Sequence, residues 1–364
     1  MTKISVVEKR HYRELAYYLS NFKIDETTKL KIERSESFWY GRFDLWWEKN
    51  PAFSEGGVRG LILNSNKKIG GFIGCIPSYF QLSGKQVIVY NETTWRVDKK
   101  FRGIDSINMI FKLLDYTKDS IHFRAGGRED ARKMQAWLGF ENIYSEERIN
   151  NYYIILNLWN IILYKFPNVT AHRYLKGLFY PITILYQLII KVFLKITSGN
   201  YDVRKIDHAD KLFDELWEET KTKIKSTNVR TSEVLNWYCS SIGAHNNIIF
   251  GCYHSNKLLG YLLCTCEKVD TVLKRITVVD LWGDLDNVYV VKSLLQGLLK
   301  YSIEQNYDLV NLPAFHKSIK TFCKKYFIHR PSMSMQYKAK KEILNKITNE
   351  SSFFSYLHGD NGLF

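Results

Sequence analysis

At 364 residues the chain is too long for one ordinary hydrophobic core and suits two domains of moderate size. Hydrophobic content of 45% and charged content of 24% exclude a disordered chain, and six scattered cysteines without zinc-like spacing exclude a small disulfide scaffold. A net charge of +15 points to anionic partners: cofactor phosphates, nucleic acid or an acidic membrane surface.

The opening MTKISVVEKRHYREL shows no apolar run behind its basic start, so a cytoplasmic protein with reduced thiols is expected. A strand is expected over 3–9, a helix over 11–22 and a longer helix over 27–49. The last carries an aromatic patch of Phe38, Trp39, Tyr40, Phe43, Trp46 and Trp47. Asn50-Pro51 ends it, because the residue before proline is pushed out of the helical region. Strands follow over 59–63, 71–79 and 87–97, then a helix over 105–116, a strand over 120–124, a helix over 128–138 and an extended stretch over 144–156. This order describes a mostly antiparallel sheet with one parallel crossover.

The order then recurs. Strands are expected over 201–206, 248–253, 258–266, 275–282, 308–311 and 334–339, with helices over 209–225, 232–239, 288–305 and 316–326. Ser37-Phe38-Trp39-Tyr40 matches Leu235-Asn236-Trp237-Tyr238 in place, and Lys68-Ile69-Gly70-Gly71 matches Lys257-Leu258-Leu259-Gly260. The chain therefore reads as an internal duplication. Its parts are residues 1–157, a linker over 158–200, a second copy over 201–340 and an extension over 341–364. Between Arg148 and Tyr201 there is no acidic residue, and residues 178–194 read LFYPITILYQLIIKVFL. Pro181 and Lys191 keep the uninterrupted run below the ~18 residues of a spanning helix. Two readings stay open: contact with the headgroups of an anionic membrane, or a helical linker packed between domains.

The run Thr94-Trp95-Arg96-Val97-Asp98-Lys99-Lys100-Phe101-Arg102-Gly103-Ile104-Asp105-Ser106-Ile107 delivers a strand through a basic loop into a helix. Free N–H groups and the macrodipole at a helix start favour an anion, and Arg102 with Lys99 and Lys100 adds charge for phosphates. This stretch resembles the acyl-CoA pyrophosphate loop of the Gcn5-related N-acetyltransferases, with Arg102-Gly103 in the usual Arg-Gly positions. Asp105 and Ile107 stand where that pattern has small residues, and Asp105 reads instead as an N-cap. The helix ending Leu138-Gly139-Phe140 is similar to the family's late helix. Arg128 takes the place of its opening Asn, and Gln135 the place of its proton-donating Tyr. Features such as Phe38-Trp39 before Asn50-Pro51, and the ending Phe353-Phe354-Ser355-Tyr356-Leu357-His358-Gly359-Asp360, are similar to a bacterial subgroup linked with cell-surface polysaccharide synthesis.

The resemblance implies an α+β protein of two tandem domains, each a mixed, mostly antiparallel sheet flanked by helices. It further implies an acyl-CoA co-substrate, acetyl-CoA or a longer one, held by Trp95, Arg96, Val97, Lys100, Arg102, Gly103, Ile104, Asp105, Ser106, Ile107 and Arg128. No metal is expected. Glu92 is the leading base, with Tyr79 and His122 as further proton carriers and Tyr144 as a replacement acid. The second copy's equivalent loop, Asp280-Leu281-Trp282-Gly283-Asp284-Leu285-Asp286-Asn287, is acidic and repels a pyrophosphate. Three functions compete. One is N-acyl transfer to an amine such as an amino sugar or lipid-linked saccharide precursor; another is a Fem-type aminoacyl transfer from charged tRNA; the third is a non-catalytic scaffold at a membrane.

Overall fold

The computed structural model describes residues 2–22, 34–66, 68–126, 129–143, 150–166, 174–197, 201–240, 246–269, 273–324, 328–331, 335–347 and 352–358. The first half begins with β1 (Thr2–Val6), α1 (Tyr12–Ser20) and α2 (Glu36–Phe43), then β2 (Gly60–Ser65), β3 (Lys68–Leu82) and β4 (Lys85–Val97). It continues through α3 (Ile104–Tyr116), β5 (His122–Ala125), α4 (Glu129–Trp137), β6 (Glu141–Asn142) and β7 (Asn150–Ile155). Helices α5 (Leu158–Lys165) and α6 (Tyr174–Thr197) follow. The second half opens with β8 (Asp202–Ile206), α7 (Lys211–Thr220), β9 (Ser226–Asn228) and α8 (Ser232–Cys239). Then come β10 (Asn246–His254), β11 (Lys257–Lys268), β12 (Lys274–Gly283), α9 (Val288–Glu304) and β13 (Leu309–Pro313). The last elements are α10 (Lys317–Lys324), β14 (Ile328–Pro331), β15 (Met335–Lys338) and α11 (Lys341–Leu344).

The strands form two mixed sheets. One has the order β1-β2-β3-β4-β5-β15-β6, with β9 paired to β3; the other runs β14-β7-β13-β12-β11-β10-β8. Each contains one parallel pair, β4 with β5 and β12 with β13, and the remaining pairs are antiparallel. The expected strand-helix order of both halves is present.

One feature departs from the sequence reading. The extended stretch near 150–156 was expected to finish the first sheet, and the strand near 334–339 the second. Instead they are exchanged. β7 lies between β13 and β14, while β15 lies between β5 and β6. Burial explains why both places are occupied. Tyr152 and Ile154 from β7, with Leu156 just after it, and Met335 and Tyr337 from β15, alternate into the common core.

That core takes up most of the aromatic patch, while Tyr40 stays exposed. Trp39, Phe43, Trp46 and Trp47 are fully buried, and Phe43 stacks on Trp47 at 5.3 Å. Ser35 caps α2 by accepting from the Phe38 N–H (3.2 Å), and a π-helical turn over Asp44–Glu48 extends it. Asn50 closes the turn by donating to the Trp46 and Pro77 carbonyls, each at 2.8 Å. The duplicated tryptophan is structural: Trp237 donates from Nε1 to the Leu45 carbonyl (2.7 Å) and so ties the halves together. A second, smaller core on the other face of the first sheet joins Ile73, Cys75, Met109, Ile110, Leu113, Leu138 and Phe140.

The second half carries a buried polar knot. Arg230 grips Asp280 in bidentate fashion (2.9 and 3.0 Å), and Tyr261 donates to the same carboxylate at 2.7 Å. Arg230 also reaches Thr227 and the Asn228 carbonyl of β9, so the knot fixes the strand that joins the first sheet. Both charges are fully enclosed. Asp280→Ala should therefore lower the unfolding free energy by about 3–5 kcal/mol, the cost of a stranded buried charge. Denaturant melts of the variant beside Lys211→Ala, at an exposed pair with Glu215, measure this; equal melts would remove the knot from the account.

Candidate active site

In the first sheet β4 and β5 part company. Their parallel register covers Tyr90 with His122 and Asn91 with Phe123, after which β4 runs on to Val97 paired only with β3. Beyond Phe123, β5 has no further ladder with β4; its outer edge is held over 122–125 by β15. A bulge opposite Ile73 bends β4 at the same level, with Thr94 at φ 46°, uncommon for a β-branched residue.

Side chains from both parting strands meet here. Glu92 and Arg124 form an ion pair at 2.9 Å, and the Arg124 guanidinium lies 5.4 Å from the Trp95 ring centroid. His122 completes the cluster, its Nε2 standing 3.6 Å from Glu92 Oε2. Burial pushes the Glu92 carboxyl up, but the adjacent Arg124 and His122 outweigh it and hold it below its ordinary value of 4.5. The Thr117 hydroxyl donates to the Leu113 carbonyl (3.0 Å), so its oxygen accepts from His122 Nδ1–H (3.3 Å). Nε2 faces Glu92 Oε2 at a distance too long for a hydrogen bond, and neither atom has another hydrogen-bond partner among the described residues. Trp95 Nε1 and both amide atoms of the fully buried Gln135 are likewise without one.

The basic loop sits at the end of β4. Arg102 donates from Nε to the Val97 carbonyl (3.1 Å), and Ser106 Oγ donates to the Gly103 carbonyl (2.8 Å). Gly103, not Asp105, is the N-cap of α3; its φ of 108° and ψ of −127° suit glycine, and open space lies beside its Cα. The expected cap role of Asp105 is thus corrected: its carboxylate accepts from Thr2 of β1 (3.1 Å). The first-turn N–H groups of Ile104, Asp105 and Ser106 precede any intrahelical acceptor, and Ile107 makes the first bond, to the Gly103 carbonyl. Gly70 seats the loop, since a Cβ there would meet the Phe101 ring at 2.4 Å. On the α1 side a cavity of 830 Å³ is walled by Tyr17, Tyr18, Phe22, Lys68, Lys99 and Arg102. The Tyr18 hydroxyl donates to Asp98 across it (3.3 Å), and its pKa is raised by burial and by that carboxylate.

The structure brings together Glu92, His122 and Trp95, and adds Arg124 and Thr117, which the sequence reading missed. Arg124 was legible as the residue two after His122, on the same face of a strand. Other expected residues lie apart. Arg96 points to the α1 face, where it donates to the Leu19 carbonyl (3.1 Å) and faces Trp39; burial and the neighbouring Arg34 lower its pKa to about 10. Tyr79 donates to the Pro51 carbonyl (2.6 Å), four residues along β3 from Cys75, the partner of Glu92, or about 13 Å away. Lys100 covers the Phe101 ring at 4.7 Å. Arg128 and Tyr144 lie outside the described residues.

The equivalent cleft of the second half is filled. Tyr356, from the carboxy-terminal stretch, donates its N–H to the Val279 carbonyl of β12 (2.9 Å) and its hydroxyl to Asn151 of β7 (2.9 Å). Its ring packs edge-on against Phe315.

No family model matches the chain, and no curated protein matches it in sequence. Solved structures do match in shape. A GCN5-related N-acetyltransferase from Anabaena variabilis superposes with a TM-score of 0.58 at 10% identity, covering 93% of this chain and 72% of that one. The Saccharomyces cerevisiae N-myristoyltransferase with bound myristoyl-CoA gives 0.56 at 11% identity, covering 100% and 89%. A probable N-acyltransferase from Enterococcus faecalis gives 0.56 at 10% identity, covering 93% and 73%. The chain therefore has the fold of the GCN5-related N-acetyltransferases, in two copies. At these identities the likeness speaks for fold alone.

A depressed carboxylate pKa contributes stability that is present above the unfolded-state value and is lost as pH falls through the folded-state value. Wild-type protein should thus lose stability from about pH 4.5 downwards more steeply than Glu92→Gln. Denaturant melts across pH 6 to 3 compare the two; parallel curves would show that Glu92 is not held ionised by its neighbours.

Proposed function

We propose that the protein is an acyl-CoA-dependent N-acyltransferase whose site lies between the parting ends of β4 and β5. The pairing of His122 with the buried carboxylate of Glu92 carries this reading, because acyl transfer to an amine needs a group that removes a proton from the attacking nitrogen. The first half of the chain supplies both the loop and the proton-accepting pair.

The residues present fit acyl-CoA. Arg102, Lys99 and Lys100, with the free N–H groups opening α3, suit its pyrophosphate, and the space beside Gly103 lets a phosphate approach the backbone. Asp105 is drawn off towards Thr2, which lessens its repulsion. Acyl-CoA supplies an activated thioester carbonyl. His122 Nε2 takes the proton released when the amine nitrogen bonds to that carbon, and ionised Glu92 stabilises the imidazolium. The C–S bond breaks and the sulfur leaves as thiolate. Gln135, where the resemblance places a proton-donating Tyr, has no proton to give, so the thiolate is protonated from solvent.

The acceptor is an amine, and the subgroup features of the sequence favour an amino sugar or a lipid-linked saccharide precursor of the cell surface. The reaction belongs in the cytoplasm, in keeping with six free cysteines, five of them buried. A second reading, aminoacyl transfer from charged tRNA, rests on the net charge of +15.

Calorimetric titration with acetyl-CoA and myristoyl-CoA, coupled to thiol release with amino-sugar acceptors, tests the proposal. One of the two should bind at a single site, Arg102→Glu should weaken it about 10- to 100-fold, and His122→Gln should cut turnover about 100-fold or more while leaving binding intact. A folded protein that binds neither thioester but binds charged tRNA would replace this reading with the second.

A further inference from the structure

Helix α6 turns one face to the protein and the other to solvent. Inward, Thr183 is buried, Gln187 donates to the Leu156 carbonyl, and Phe179 stacks on Trp159. These three positions repeat every four residues and so share a face. The opposite face is apolar. Ile182, Leu185, Leu188, Ile189 and Val192 are each at least half exposed. Apart from Gly177 and Pro181, every described exposed residue of the helix is a large aliphatic or a tyrosine. An ordinary surface helix would carry charge there, and this continuous patch exceeds the scattered apolar residues of a monomer surface.

Two occupants suit such a face: a bilayer, or a second copy of the chain. Charge decides between them. No acidic residue occurs between Arg148 and Tyr201, and α6 itself carries Lys176, Lys191 and Lys195. The end of the neighbouring α5 exposes Tyr164, Lys165 and Phe166 together, a pairing of aromatic and basic groups suited to headgroup depth. A two-fold contact would set this acid-free segment against itself, cation against cation. An anionic bilayer takes up the apolar stripe and the positive charge at once. Crossing is excluded, since no helix among the described residues is long and apolar enough and Pro181 lies inside α6.

We propose that α6 lies flat in the headgroup boundary of an anionic bilayer, apolar face down, and holds the protein there as a peripheral membrane protein. This surface is independent of the acyl-transfer site, because none of its residues belongs to the β4–β5 cleft.

Flotation of the whole protein with vesicles tests it. Phosphatidylglycerol-containing vesicles should carry the protein up, and pure phosphatidylcholine vesicles should bind at least about tenfold less. Leu185→Asp with Ile189→Asp should abolish flotation while the thermal melt stays unchanged. Should that variant fail to fold, Lys191→Glu with Lys195→Glu must show the same loss on anionic vesicles. Absence of flotation with anionic vesicles would overturn the proposal. So would a lipid-free dimer, seen by sedimentation, that Leu185→Asp with Ile189→Asp dissociates, since the face would then be an interface between copies.

Discussion

Four residue pairs join β15 to β5, and they hold the arm of β5 that β4 releases. Without them Arg124 and Ala125 would stand at a bare strand edge, with unpaired backbone groups on both sides. The strand doing this comes from the far end of the chain, some two hundred residues away. Arg124 is in turn the cation that keeps Glu92 ionised, and Glu92 faces His122. The Glu92–Arg124–His122 cluster of the first half thus rests on a hydrogen-bonded ladder supplied by the second. The reverse debt also exists, for β7 runs beside β13 in the second sheet.

This interlock gives the second copy a purpose even though its own cleft is closed. Tyr356 occupies the gap beyond the paired part of β12 and β13, using the Val279 carbonyl and Asn151. Farther along, Phe354 and His358 pack against Phe80 and Phe123 of the first sheet. Burial pushes the His358 imidazole down to about 3, so it stays neutral and behaves as a packing element. One stretch of seven residues therefore plugs one cleft and buttresses the back of the other.

Much of this was legible beforehand. The period-two runs at 71–79 and 258–266, and the Arg102-Gly103 turn into an apolar helix, gave away the paired sheets and the position of the loop. Trp39 and Trp237 were legible as matching core positions, and both are buried. What stayed hidden was pairing at a distance: alternation in 150–155 and 335–338 says that each strand has a core side, not which sheet it joins. The strand Ser226–Asn228 was missed because three polar residues carry no hydrophobic period, and its partner is β3 of the other half. Within the site, Glu92 and His122 were nameable one by one. Their meeting depends on the β4–β5 register, which no local pattern encodes, and so does the capture of Asp105 by Thr2.

The dependence of one half's site on the other half's strand is the claim most open to direct test. Residues 1–200 and 201–364 can be produced as separate chains, alone and together, and titrated with acetyl-CoA and myristoyl-CoA beside the intact protein. The account predicts that the first chain alone binds neither thioester, and that the reconstituted pair binds whichever one the intact protein does. Binding by the first chain alone at the intact protein's affinity would contradict it, for β5 would then hold its half of the cleft without β15.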